Sequence, residues 1–236
     1  MYKKFLPNKI LSLNNKIIIN LLIPMLLIFL LGLTYALLLS PSDYIQGDSV
    51  RIMYVHVPSS FIALGSFGFI GICSILNLVF KIKFVSLMAK SIAPVGCIFS
   101  IVSIVTGSLW GKPTWGVWWV WDARLTSMFI LLLFYVIYIF LWKYLKNFER
   151  ANKLTSIVGI IGLFNLPIIK YSVNWWNTLH QPSSITLTSA PTIHYTMLIP
   201  LVIMLVAMII YLLIIFLMKY KTELMKLKIN TKNKNN

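Results

Sequence analysis

"WGKPTWGVWWVW", residues 110–121, holds five of the eight tryptophans in a chain of 236 residues. One packed indole removes roughly 150–250 Å² from water, so a stretch this rich in aromatic surface, and this broken by glycine, needs an apolar cover. Long apolar runs flank it, at 85–108 and 124–145, and four more occupy 17–39, 57–80, 154–172 and 194–218. At 1.5 Å per residue each can cross about 30 Å of hydrocarbon. The expected fold is therefore an all-α integral membrane protein with six transmembrane helices, and the tryptophan-rich segment 109–123 joins the third helix to the fourth.

Composition agrees: 59% of residues are hydrophobic and 11% charged, with mean hydropathy +0.86, whereas soluble domains carry about a quarter charged residues. The chain reads as a single six-span membrane domain, 1–236. It has no apparent internal repeat, so an inverted-repeat transporter gains no support. Asn165 and Pro167 in the fifth run predict a kink. Cys73 and Cys97 stand alone in apolar runs, without the spacing of a disulfide framework, a zinc site or covalent haem attachment. Lys3, Lys4, Lys9 and Lys16 could open a signal peptide, but the 23-residue run at 17–39 exceeds a cleaved apolar region of about 7–15 residues. It is expected to be a retained span.

The balance of 21 basic against 5 acidic residues gives a net charge of +16. Of the 21, 17 fall in the N-terminal tail, the connections 81–90 and 143–153, and the basic tail 219–236. By the positive-inside rule both termini face the cytoplasm, or the matrix in an organelle. The charge is then mostly a topology signal directed at the lipid bilayer, and no nucleic-acid partner is expected. Connections 40–56, 109–123 and 173–193 lie on the outer face, with Arg51, Lys112, Arg124 and Lys170 as its cations. Arg51 and Arg124 stand at helix mouths, where contact with lipid phosphate is the plain reading.

Within the tryptophan segment Gly107, Gly111, Pro113 and Gly116 should interrupt any helix before about residue 113. Trp115, Trp118, Trp119 and Asp122 then recur at i, i+3, i+4 and i+7, the spacing of one face of a short helix lying along the interface. An aromatic belt is the alternative, but a belt spreads its rings around all helices, and concentration in one connection favours a platform. Asp122 is also suited to cap the fourth helix.

His56, His180 and His194 all fall on the outer side. His194 opens the sixth span in "APTIHYT" and reads as structural. His56, in "YVHVP", and His180, before the turn signal 181–184, approach the platform from different connections. Two histidines flanking a tryptophan surface suggest axial ligands to a flat, apolar, iron-containing ring, and haem also brings propionates that attract arginine.

"WGKPTWGVWWVWDARLTS" closely resembles the WWD signature of the haem-handling proteins of cytochrome c maturation, and "YVHVP" and "NLPIIKYSVNWWNTLHQ" resemble its CcmC branch. The resemblance runs from about residue 41 to 181. It implies that haem b, a transient cargo, is bound on the outer face and presented to the haem chaperone CcmE within an export complex that includes the ABC transporter subunits CcmA and CcmB and the small protein CcmD. It implies iron ligands His56 and His180, a platform of Trp110, Trp115, Trp118, Trp119 and Trp121, and propionate partners Arg51 and Arg124. Pro182 after the second histidine is a departure. The implied location is a bacterial inner membrane, or the mitochondrial inner membrane for an organelle-encoded chain.

Two other readings compete. A b-type haem protein of electron transfer would clamp its haem between helices at depth, whereas these histidines lie near one interface. A solute pathway would need polar groups at mid-membrane, where Asn77, Asn165 and Ser103 are sparse candidates. With no carboxylate pair or base-activated nucleophile on the outer face, the chain is not expected to be an enzyme.

Overall fold

The computed structural model describes residues 8–176, 178–181, 184 and 190–233. Seven α-helices follow in order: α1 (Asn8–Thr34), α2 (Met53–Phe80), α3 (Lys83–Trp115), α4 (Ala123–Tyr144), α5 (Phe148–Leu163), α6 (Asn165–Trp175) and α7 (Tyr195–Asn233). Among the described residues six helical segments are long and apolar enough to span a membrane, Asn15–Leu39, Asp48–Phe80, Phe84–Trp115, Ala123–Tyr144, Phe148–Trp175 and Tyr195–Ile229. They coincide with the six apolar runs. The basic tail from residue 219 simply continues α7, and residues 234–236, like Lys3, Lys4 and Pro182, lie outside the described part.

α2 is the centre of the bundle, packed against α3, α5 and α7, with half of its most apolar window buried against 6% for α1. α1 packs mainly along α7 and turns the rest of its surface to lipid. Lys221 Nζ donates to Asn15 Oδ1, so the start of α1 and the end of α7 lie at one end of the bundle. Lys90, near the start of α3, meets Glu223 there at 2.5 Å. The tryptophan-rich segment follows the far end of α3, at the opposite pole.

Apolar side chains gain little by leaving lipid for one another, so helix association relies on close packing and interhelical hydrogen bonds. The polar residues in the spans supply those bonds. Asn77 on α2 and Asn152 on α5 exchange amide bonds at 3.0 Å each, and Asn77 also reaches Ser156 at 2.8 Å. Ser60 meets Ser103 at 2.6 Å between α2 and α3, while the buried Tyr135 hydroxyl on α4 donates to the Ala63 carbonyl at 2.6 Å. These polar groups thus bind helix to helix.

The expected irregularity in the fifth run falls at Phe164, a single residue that keeps right-handed helical angles between the two helices. α5 ends at Leu163 and α6 starts at Asn165, because Pro167 has no N–H for the Leu163 carbonyl. Asn165 secures the joint, its Nδ2 donating to the Ser127 carbonyl of α4 at 2.8 Å.

The tryptophan segment departs from the expected interfacial helix. α3 continues through Gly107, Gly111 and Pro113 to Trp115, and 117–122 is not helical. Pro113 lies in the last turn, where it removes only one intrahelical bond, and the Thr114 hydroxyl donates to the Trp110 carbonyl at 2.8 Å. Gly116, at φ 78°, then ends the helix in the left-handed conformation that suits glycine. Asp122 caps α4 as expected, its Oδ1 accepting from the Leu125 N–H at 2.7 Å.

Replacing Asn77 with leucine should strand the Asn152 amide and lower stability in detergent by about 1–2 kcal/mol. A double Asn77→Leu, Asn152→Leu variant should recover part of that loss in thermal denaturation; equal losses in single and double variants would contradict the pairing.

Candidate functional site

At the tryptophan-rich pole the ends of α2, α3, α4 and α6 and the connections around them enclose a cavity of about 310 Å³, at the small end of ligand pockets, which span roughly 300–1,000 Å³. Trp110, Trp115 and Trp119 form its aromatic wall, and His56, His180 and Arg124 are its titratable lining.

His56 lies in the first turn of α2. Its Nδ1 faces the Ser103 carbonyl on α3 at 3.0 Å, with the Thr106 hydroxyl oxygen at 3.1 Å. A carbonyl only accepts, so Nδ1 carries the proton and Nε2 keeps a free lone pair. The Thr106 hydroxyl donates to the Val102 carbonyl at 2.6 Å, leaving its oxygen to share the imidazole proton. The ring rests against Gly107, where a Cβ would meet His56 Cε1 at 3.0 Å, so a side chain there would push the ring by a few tenths of an ångström.

His180 comes from the connection after α6. Its Nδ1 donates to the Gln181 carbonyl at 3.3 Å and its backbone N–H to Thr178 Oγ1 at 3.1 Å, which again leaves Nε2 with the lone pair. The two imidazoles stand with ring centroids 6.4 Å apart and planes 31° apart. Burial, then the nearby Arg124 and His56, push the His180 pKa down from 6.5 to about 3. Both rings are held by indoles: Trp110 meets His56 edge-on at 5.8 Å and Trp115 meets His180 at 5.8 Å.

Of the residues singled out in the sequence, the cavity gathers His56, His180, Trp110, Trp115, Trp119 and Arg124. It does not gather the other three. Trp118 is 54% exposed with Lys112 Nζ 5.9 Å from its ring centre. Trp121 is 75% exposed and packs edge-on to Trp119 at 5.5 Å. Arg51 turns away: its Nη1 donates to the Ala36 and Leu37 carbonyls at 3.0 and 2.8 Å and its Nε to Asp48 at 3.1 Å. Those carbonyls belong to a wide helical turn, Tyr35–Leu39, that ends the first span and lacks partners of its own. His194 is outside the lining; its carbonyl accepts from the first amides of α7 and its ring from or to Thr196 at 2.8 Å.

Several contributors carry no sequence signal. Gln46 accepts the Trp110 indole N–H at 2.8 Å, and the loop that presents it is folded by Asp43 Oδ1, which accepts from the amides of Ile45 and Gln46 at 2.9 and 2.8 Å. The Ser103 carbonyl is backbone. Gly107 could have been found only as a glycine facing a bulky ring.

The His180 imidazole is expected to stay neutral as pH falls through 6.5 and to take its proton near pH 3. The sign follows from the depressed value: the buried ring refuses a proton that a solvated histidine accepts, so acid between those limits favours the ring leaving the cavity. Imidazole ¹⁵N shifts of protein in detergent read this directly, and a midpoint near 6.5 would contradict the burial. Thr106→Val should loosen the His56 ring, visible as a second set of His56 signals, with Thr106→Ser restoring one.

Comparison with known proteins matches residues 2–235 to the family model "CcmC: Heme exporter protein C". The chain is 36% identical over 225 residues to heme exporter protein C of Bradyrhizobium diazoefficiens, covering 95% of this chain and 85% of the relative. With the Escherichia coli K12 protein of the same name identity is 47% over 145 residues, 61% of this chain and 59% of that one. A cytochrome c biosynthesis ccmC-like mitochondrial protein of Marchantia polymorpha is 43% identical over 180 residues, 76% of each chain. The end-to-end family match, carried by relatives that align along most of both chains, means that this chain belongs to the CcmC family of heme exporter proteins.

Proposed function

We propose that the chain holds haem in the cavity at its tryptophan-rich pole and presents it there to the haem chaperone CcmE. As a family member it has a role in haem export and cytochrome c maturation. Six apolar helices, with bacterial and mitochondrial relatives, fit a multi-pass inner-membrane protein. The finer reading rests on one observation above all: two imidazoles, one from the first turn of α2 and one from the connection after α6, converge on one cavity, 6.4 Å between ring centres.

That spacing fits a single iron. Two metal–imidazole bonds of about 2.0–2.1 Å, taken with the half-widths of two rings on opposite sides of the metal, give roughly 6.3 Å between centres. Nδ1–H bonds to carbonyls orient the rings and raise the basicity of Nε2. Trp110, Trp115 and Trp119 offer the apolar walls a porphyrin requires. Arg124 lines the same space and supplies positive charge for a propionate. Arg51 would first have to leave the carbonyls of Ala36 and Leu37.

Charge distribution sets the orientation in this reading. The pole opposite the cavity carries the start of α1, the end of α7 and Lys81, Lys143, Arg150 and Lys153, so the positive-inside rule puts the cavity on the periplasmic or intermembrane-space side. CcmA, CcmB and CcmD complete the export assembly, and haem b is cargo. The chain's own residues position the ring and exclude water; covalent chemistry belongs to the chaperone. A resident b-type haem of electron transfer would instead be retained in purified protein and cycle without transfer.

Alanine at His56 or at His180 should lower haem content of the purified complex about tenfold or more and abolish loading of CcmE, while His194→Ala retains both. Normal loading by both cavity variants would overturn axial ligation, and an equal loss in His194→Ala would overturn its separate role.

A further inference from the structure

The pole opposite the tryptophan-walled cavity holds a second cleft, of about 490 Å³, between the end of α2 and the start of α5. Its lining carries three cations, Lys81, Arg150 and Lys153, against one carboxylate, Glu149, and all four residues are exposed. Asn77 and Asn152 line it too, but they are buried and their amides are already bonded to each other and to Ser156. The polar groups left for a ligand are therefore mostly positive.

The backbone adds to that charge. α5 starts here, so the positive end of its dipole lies at the cleft, and Asn147 caps it by accepting from the Arg150 N–H at 3.0 Å. Lys81 follows the last residue of α2 at φ 55° and ψ 31°. Among the described residues it is the one non-glycine residue with positive φ. Glycine or asparagine usually takes that place, because a Cβ there is strained, so a lysine is kept on this wall against a backbone penalty.

The cleft lies at the ends of two spans, Asp48–Phe80 and Phe148–Trp175, which is the depth of lipid headgroups. Lys153, Ile157 and Ile161 recur at four residues and are all exposed, so one face of α5 runs from the cation onto lipid-facing surface. Ile72, Ile75 and Val79 make a similar exposed stripe on α2 that ends two residues short of Lys81. A soluble anion would use the cations alone, whereas a phospholipid uses the cations and the stripes. We infer that this cleft binds the phosphate of an anionic phospholipid, with Lys81, Arg150 and Lys153 on the headgroup and the acyl chains along the exposed faces of α2 and α5. Glu149 opposes the headgroup, so net attraction depends on all three cations. The bound lipid bridges α2 and α5 at the end where Asn77 and Asn152 already join them, far from the histidines.

The test uses purified full-length protein in uncharged detergent, titrated with dioctanoyl phosphatidylglycerol or dioctanoyl phosphatidylcholine, with bound lipid counted by native mass spectrometry. The anionic lipid should bind about fivefold more tightly or better than the zwitterionic one. Lys153→Gln and Arg150→Gln should each weaken the anionic lipid about fivefold. Lys81→Gly should do the same with the fold intact, since glycine suits the left-handed conformation. Lys143→Gln removes a cation at the same pole but outside the cleft lining, and it should change nothing. Equal weakening by Lys143→Gln would mean that the overall charge of the pole attracts the lipid; that result, unchanged affinity in the cleft variants, or equal binding of the two lipids overturns the site. Displacement of the anionic lipid by an equimolar amount of inorganic phosphate would assign the cleft to a soluble anion and overturn the lipid reading. Haem enters none of these readouts, so the cavity at the other pole stands or falls separately.

Discussion

The hydrogen bond from His56 Nδ1 to the Ser103 carbonyl ties the first turn of α2 to the second half of α3. Much of the pole is arranged around it. It sets the tautomer, it lets the ring settle against Gly107, and it faces the imidazole toward the Trp110 edge. Ser60 reinforces the same helix pair one turn deeper by bonding both Ser103 Oγ and the His56 carbonyl. A ligand cavity in lipid surroundings needs such fixed polar contacts, because the apolar surfaces around it discriminate weakly between one helix register and the next.

The same economy of polar groups extends down the bundle. Asn77 with Asn152, Asn165 with Ser127 and Tyr135 with Ala63 each link two helices. α1 has few such links and is correspondingly lipid-exposed. The helices that build the cavity are those most heavily cross-bonded.

The six spans were legible because hydropathy over twenty residues is a strong signal, and the histidine pair because both residues fell in connections on one side. The local backbone of the tryptophan segment was not. Pro113 looked like a barrier, yet near a helix end it forfeits a single bond, and the decisive residue was Gly116. Spacing from Trp115 to Asp122 imitated a helical face across a stretch whose first residue ends one helix and whose last caps the next. Arg51 was read by its proximity to the histidine motif, but its partners are backbone carbonyls freed by a wide turn fifteen residues earlier, and backbone acceptors leave no mark in a sequence. Gln46 was invisible for a related reason: its role depends on the Asp43 turn that brings it beneath Trp110.

The two imidazoles are anchored unequally. His56 leans on a carbonyl of a neighbouring transmembrane helix, so displacing it disturbs the packing of α2 on α3. His180 leans on the carbonyl of the very next residue, and its ring can leave together with its acceptor as one short piece of chain. A group held between the two rings, as proposed above, would be gripped from a packed helix pair on one side and from a local loop contact on the other. His56 therefore shifts only with the helix packing, whereas His180 can shift with its own stretch of chain.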